Sequence, residues 1–301
     1  MNFDLGPDER LLADAVRTAL SRHDTLAAAR AALEPGGPPV PHLWPEAVRG
    51  GWSGLPDLLF GLLVLIECGR RLAPTGLAGH LAGLAVLRRN GLPTDDYAIG
   101  ALRCAYLVQV DAVPDAPGAD HLILPDGTAV TADVTPIGGH DPTRPLGRVA
   151  LAEPDGEPYG AQVMQALLAA EALGVAQAAL DLAVAHAKQR TAFGRAIGSF
   201  QAVKHQLVDV LRRVENARSL LYYAAYADRH APADLGLAAC AARLAADDAA
   251  DVATRRCLSV LGGLGATWEH DAHLYFRRAQ LGRLLLGGAA VASEGVIAGA
   301  A

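Results

Sequence analysis

Near the amino end, Phe3, Leu5, Leu11, Leu12, Val16 and Leu20 recur at helical spacing, and Asp8 to Arg10 put charge on the opposite face. This pattern predicts an amphipathic helix that a Pro/Gly cluster, Glu34-Pro35-Gly36-Gly37-Pro38-Pro39, brings to an end. A second apolar helix is predicted over Leu55 to Arg71, with Pro74 as its stop, and a third over Leu77 to Arg89. Helices this short depend on packing against one another rather than on intrinsic propensity.

The period changes between about positions 95 and 150. Tyr106 to Val110, His121 to Leu124, Thr128 to Val134 and Gly147 to Leu151 are short β-prone runs, separated by turn residues at Pro114 to Gly118, Pro125-Asp126-Gly127 and Gly138-Gly139. Asp126-Gly127 sits where a hairpin turn is expected. A unit of four or five such strands is small and needs covering by helices or another chain.

Helical spacing then returns. Val163 to Arg190 carries Leu167, Leu168, Leu173, Ala176, Leu180 and Val184 on one side, and a glycine-containing break, Phe193 to Gln201, follows. Ala202 to Ala227, Pro232 to Leu258 and Asp271 to Leu286 complete four antiparallel helices, which suggests a bundle. The predicted fold is therefore mainly α: a helical domain over 1–94, a reduced middle β domain over 95–154 and a C-terminal four-helix bundle over 155–301.

Composition narrows the classes of function. With 51% hydrophobic and 19% charged residues, the chain of 301 residues can bury a sizeable core. Its formal net charge is -6 with no basic stripe, which argues against nucleic acid as a partner. The start lacks the pattern of a signal peptide, and apolar stretches such as Leu58 to Ile66 are too short to span a bilayer. Cys68, Cys104, Cys240 and Cys257 are far apart with no CxxC, as expected of buried free thiols in a reducing cytoplasm.

No nucleophile motif stands out. Gly51-Trp52-Ser53-Gly54 falls short of a G-x-S-x-G elbow because Leu55 stands where the last glycine belongs. His270 and His273 share a helical turn but lack a distant third ligand, so a polar helix start explains them better than a metal, with Asp271 as an N-terminal charge. Two segments offer more. In Lys188 to His205, Arg190 ends one helix and Gln201 begins the next, which brings a cation, backbone N–H groups and an aromatic ring to one junction. That combination suits a nucleotide pyrophosphate. In Leu261 to Ala279, the glycines allow close backbone approach to a phosphate or ribose. On residues alone, a tight interhelical turn followed by a glycine-kinked loop is the simpler account of both.

Both segments nevertheless resemble signatures of the acyl-CoA dehydrogenase family. Arg190-x-x-Phe193-Gly194-Arg195-x-Ile197-x-x-Phe200-Gln201 is one, and Gly262-Gly263-x-Gly265-x-Thr267-Trp268-Glu269-His270-Asp271 is the other. The Trp-Glu-His-Asp form is similar to that of actinobacterial enzymes acting on large acyl-CoA substrates, including steroid side chains. Phe3-Asp4-Leu5, Glu9 to Leu12, Ile66 to Pro74 and Asp141 to Leu146 extend the resemblance in order along most of the chain. In that family FAD is shared across a subunit interface. The resemblance implies Arg190 on the pyrophosphate, Phe193 and Gln201 beside the adenosine portion, and backbone contact from Gly262 and Gly263.

Departures from the family redirect the expectation. The middle region is short and lacks the family's flavin-contact motifs. α,β-Dehydrogenation needs a carboxylate to take the α-proton while hydride leaves for the flavin. The two family positions for that Glu hold Leu286 and Met164 here, Arg278 stands in place of the usual Asp of an Arg-Asp pair, and Ser259 replaces a glutamine. Glu171 and Glu269 are the residual carboxylates, each better read as a polar helix or interface residue than as a base. The expectation is thus a subunit without its own catalytic Glu, of the heteromeric (α2β2) steroid-side-chain type. A longer acyl-CoA dehydrogenase homologue would be its partner, FAD its shared cofactor, an acyl-CoA the substrate and the cytoplasm its location. A flavin-free homodimer acting on acyl thioesters and a non-catalytic scaffold are the alternatives.

Overall fold

The computed structural model describes residues 4–156 and 158–300, so Phe3 of the opening helix lies outside the described residues. The N-terminal region consists of α1 (Pro7–Leu20), α2 (Thr25–Leu33), α3 (Trp44–Arg49), α4 (Leu58–Arg71), α5 (Leu77–Arg89) and α6 (Asp95–Ala98). The predicted first helix is interrupted earlier than expected. Asp24 caps α2 by accepting the Ala27 N–H at 3.0 Å, so the chain breaks at Ser21–Asp24 as well as at the Pro/Gly cluster. The helix expected from Leu55 starts at Leu58, because Asp57 accepts the Phe60 N–H at 3.2 Å as its N-cap.

The β region forms two three-stranded sheets rather than one unit. In the first, β1 (Cys104–Tyr106) runs parallel to β3 (His121–Ile123), which pairs antiparallel with β4 (Ala129–Val130). In the second, β2 (Val113–Pro114) and β5 (Val134–Ile137) flank β6 (Leu146–Val149), both antiparallel to it. The hairpin turn at Asp126-Gly127 is as predicted, with Gly127 at φ 89°. The expected strand at Tyr106 to Val110 lies earlier, and Thr128 to Val134 divides between β4 and β5. Pro114, read as a turn residue, is in a two-residue edge strand, where its missing N–H costs nothing.

The C-terminal region has three long helices, α7 (Tyr159–Gln189), α8 (Gln201–His230) and α9 (Leu235–Leu261), with the small hairpin β7 (Thr191–Ala192)/β8 (Arg195–Ala196) joining the first two. The expected fourth helix is shorter: α10 covers Ala272–Gly282, and α11 (Gly288–Ala300) follows a break that periodicity did not reveal. At the break Leu286, Gly287 and Gly288 all have positive φ, which a continuous helix cannot contain.

α7 is the central element, buried along most of its length. It is long and apolar enough to cross a bilayer, contrary to the expectation based on Leu58 to Ile66, but 72% of its most apolar stretch is buried inside the protein. It crosses α4 with glycine on both sides of the contact. A Cβ on Gly174 would collide with the Ile66 carbonyl, and one on Gly69 with the Glu171 carbonyl. The four cysteines are buried and free, and burial pushes the Cys68, Cys104 and Cys257 thiols up to about 12. Ser53 of the near-elbow is also buried, donating to the Ala98 carbonyl at 2.9 Å, so it is a structural hydroxyl.

Candidate functional site

The turn after α7 is built for exposure. Arg190 leaves the helix in extended backbone conformation, its N–H donating to the His186 carbonyl at 2.8 Å and its carbonyl accepting from Ile197 at 2.8 Å. Phe193 and Gly194 form the tip of the β7–β8 hairpin with φ of 54° and 78°. Positive φ is ordinary for Gly194 and strained for Phe193, whose side chain is 95% exposed. Its ring meets Phe200 edge-on at 6.2 Å, and Arg195 lies 4.1 Å over the Phe200 ring. Gln201 opens α8, whose N-terminus has no side-chain cap. The site therefore offers an exposed guanidinium, an exposed aromatic ring and the uncapped N-terminus of a 30-residue helix.

Gly262 and Gly263 lie past the end of α9, exposed, with open space where a Cβ would stand on either. Their loop returns to the same end of the molecule. His186, near the end of α7, is lowered from its ordinary value by burial first, then by the charges of His270 and Arg190. The two sequence segments are thereby linked. His270 accepts the Ala272 N–H at 3.1 Å through Nδ1, while Asp271, expected to act at the helix start, instead pairs with Arg30 on α2. His273 packs edge-on to Trp268 at 4.9 Å. Among the described residues no His/Cys/Asp/Glu group has metal-site geometry.

The two positions where the resemblance places a base are buried and apolar. Met164 is fully buried on α7, and Leu286 is 6% exposed at the break before α11. Arg243, fully buried on α9, ties their surroundings together. It donates to Gln165 at 3.1 Å, to Asp247 at 2.7 Å and to the carbonyls of Gly282 and Leu285. Burial raises Asp247, and the Arg243 charge opposes that rise.

Glu171 proves to be a structural carboxylate. Arg278 donates to it at 2.9 Å, and Arg144 pairs with its other oxygen. Arg278 also reaches Asp141 at 2.5 Å and the Thr143 carbonyl at 2.8 Å, while Arg144 faces Asp115 at 3.4 Å. All five charged groups are nearly inaccessible. Burial alone would raise Asp141, but the Arg278 charge and hydrogen bonds from Thr143 and Arg278 hold it below its ordinary range. Burial and repulsion from Arg278 bring Arg144 down to about 10, against the pull of Asp115 and Asp141. The crevices flanking this cluster measure about 0 and 10 Å³, at or below the roughly 10–15 Å³ that one water needs. With both oxygens held by guanidinium groups and no room beside them, Glu171 cannot receive a proton from a substrate. Glu269 is exposed in its loop.

Sequence reasoning missed the buried roles of Asp141 and Arg144, and missed Arg243 altogether. A signal existed for Arg243, which precedes Asp247 by one helical turn within an alanine-rich stretch. Asp141 and Arg144 lie in the Asp141 to Leu146 segment that resembles the family. Their partners Arg278, Glu171 and Asp115 come from distant parts of the chain, so the sequence did not show their role.

Known proteins share this architecture. The family described as "Acyl-CoA dehydrogenase, C-terminal domain" matches residues 160–300. Acyl-CoA dehydrogenase IpdE2 of Mycobacterium tuberculosis is 33% identical over 299 residues, covering 91% of each chain. Two solved structures share the fold at lower identity. One, described as the Tcur3481-Tcur3483 steroid ACAD G363A variant, has a TM-score of 0.85 at 24% identity and covers 99% of this chain and 98% of its own. The other, the ChsE4-ChsE5 complex from Mycobacterium tuberculosis, has a TM-score of 0.84 at 21% identity over the same shares. With the IpdE2 match running nearly end to end, this chain belongs to the acyl-CoA dehydrogenase family.

Proposed function

We propose that this chain is one subunit of a heteromeric, FAD-dependent acyl-CoA dehydrogenase and supplies the part of the flavin site that holds the ADP end. Its longer homologous partner would carry the catalytic Glu and the pocket for the isoalloxazine. The observation that carries this reading is the contrast within one chain. Arg190, Phe193 and Gln201 stand exposed at one end, whereas the family's two base positions hold buried Met164 and Leu286 and the nearby Glu171 is paired with Arg144.

The residues present fit the ADP end of FAD. Arg190 would pair with a pyrophosphate oxygen, and the uncapped N-terminus of α8 would add its N–H groups. Phe193 offers an aromatic face without needing to be uncovered first. Met164 and Leu286, at the positions where the family carries its base, are buried and apolar and have no group that could take a proton. When bound, FAD would supply the hydride acceptor, and this chain would hold and orient it for chemistry done by the partner.

Further support comes from apolar surface that a partner would cover. Val208 and Leu211 on α8 are 61% and 45% exposed, and Trp268 is 59% exposed beside the glycine loop. The two structural neighbours described above are named as pairs of proteins, and one is described as a steroid ACAD. A bulky acyl-CoA is therefore the substrate class proposed for the complex. Co-expression with the longer homologue tests the reading. Arg190→Ala is expected to lower the FAD retained by the purified complex by about tenfold, the effect of losing one charge-assisted phosphate contact. Unchanged flavin content would contradict it.

A further inference from the structure

A second region of α7 lies apart from the flavin contacts. Tyr159, Val163 and Leu167 recur at helical spacing and form one wall of a cavity of about 570 Å³. Leu58 and Gly61 of α4 and Leu81 and Ala85 of α5 make the opposing walls. The floor is apolar, with Val163, Leu167, Leu58 and Leu81 all under 9% exposed. A side chain at position 61 would meet Leu81 and Leu167 at 3.4 Å, so the glycine keeps the floor open between them.

The mouth has a different character. Arg88, Arg89 and Arg229 stand there with Asp57 and Asp228, leaving cations in excess by one. Both carboxylates already have work. Asp57 caps α4, and Asp228 accepts the Tyr159 hydroxyl at 3.1 Å. Arg88 donates to the backbone carbonyls of Leu55 at 2.5 Å and Gly54 at 3.2 Å, and Arg89 lies 4.3 Å over the Tyr159 ring. Neither arrangement neutralises a guanidinium. Burial pushes Asp228 above the usual carboxylate range, against the pull of the Arg89 charge, and burial likewise lowers Arg88.

We propose that this cavity binds an amphipathic carboxylate, with its apolar body between α4, α5 and α7 and its anionic head among Arg88, Arg89 and Arg229. The volume falls within the roughly 300–1,000 Å³ typical of small-molecule sites, and apolar walls with a few polar groups at one end are their usual lining. One net positive charge matches a monoanion better than a nucleotide polyphosphate, so the ligand is a free acid rather than a coenzyme A thioester. The site is independent of the flavin-sharing reading and survives its failure.

Calorimetric titration of the full chain with dodecanoate and with dodecanol tests the assignment, since the two share a body and differ at the head. Dodecanoate is expected to bind about tenfold more tightly. Val163→Trp, which fills the cavity, should abolish binding of both. Arg229→Met changes an exposed side chain, leaves the fold intact and should weaken dodecanoate about fivefold while sparing dodecanol. Equal affinity for the two probes, no binding of dodecanoate to the unaltered chain, or an unchanged dodecanoate affinity in Arg229→Met would overturn the proposal.

Discussion

The middle of α7 and its C-terminal end have opposite characters. At the middle, Glu171 is locked between Arg144 and Arg278, with Asp141 and Asp115 completing a sealed cluster. At the end, Arg190 and Phe193 project into solvent and the helix that follows has no cap. The first arrangement uses charge to hold elements together; the second leaves charge and aromatic surface for something else to use. At the positions where the family carries its base, this chain has buried Met164 and Leu286, and Glu171 is tied into structure.

The largest expected effect would sharpen this contrast. Arg278→Met leaves Asp141 and Glu171 buried with one fewer cation, and should cost about 3–5 kcal/mol in urea unfolding. Arg190→Ala in the same assay should stay within about 0.5 kcal/mol, because nothing buried depends on it. Equal losses from the two would break the comparison. Acid should act on the sealed side too. His80 is fully buried, accepts the Cys104 N–H through Nδ1 at 3.2 Å, and is held down to about 4 chiefly by burial. Its folded value lies below the ordinary 6.5, so the stability it contributes is fully present above pH 6.5 and is lost as pH falls toward 4. The loss is about 3 kcal/mol, and His80→Gln should flatten that part of a stability-versus-pH curve. Asp141, lowered in the folded state, contributes in the same direction at still lower pH. The smallest effect is expected at Phe193. Phe193→Asn relieves a positive φ and should stabilise the chain by about 0.5 kcal/mol while weakening flavin retention in the complex. A loss of stability there would remove the case for strain kept for function.

Much of the fold was legible in the sequence because helical spacing is a local signal. Val163 to Arg190 and Leu77 to Arg89 appear nearly as read. The β region was less so: strands two to four residues long are fixed by their partners rather than by their own composition. α11 was missed because alanine and glycine give it no periodic face. The exposed end was legible as a motif, since Arg190, Phe193, Gln201 and the paired glycines lie in two continuous segments. The sealed cluster was not, because Glu171, Arg144, Asp141 and Arg278 meet only through tertiary structure. The replacement at position 278 was visible in the sequence, and its meaning became clear only with Glu171 and Asp141 beside it.

The central claim is that this chain holds half of a flavin site, and flavin absorbance measured against protein concentration tests it most directly. The account predicts no FAD on the chain purified alone, and one FAD per pair of unlike subunits when it is co-purified with its longer homologue. Stoichiometric FAD on the isolated chain, together with dehydrogenation of an acyl-CoA, would contradict it.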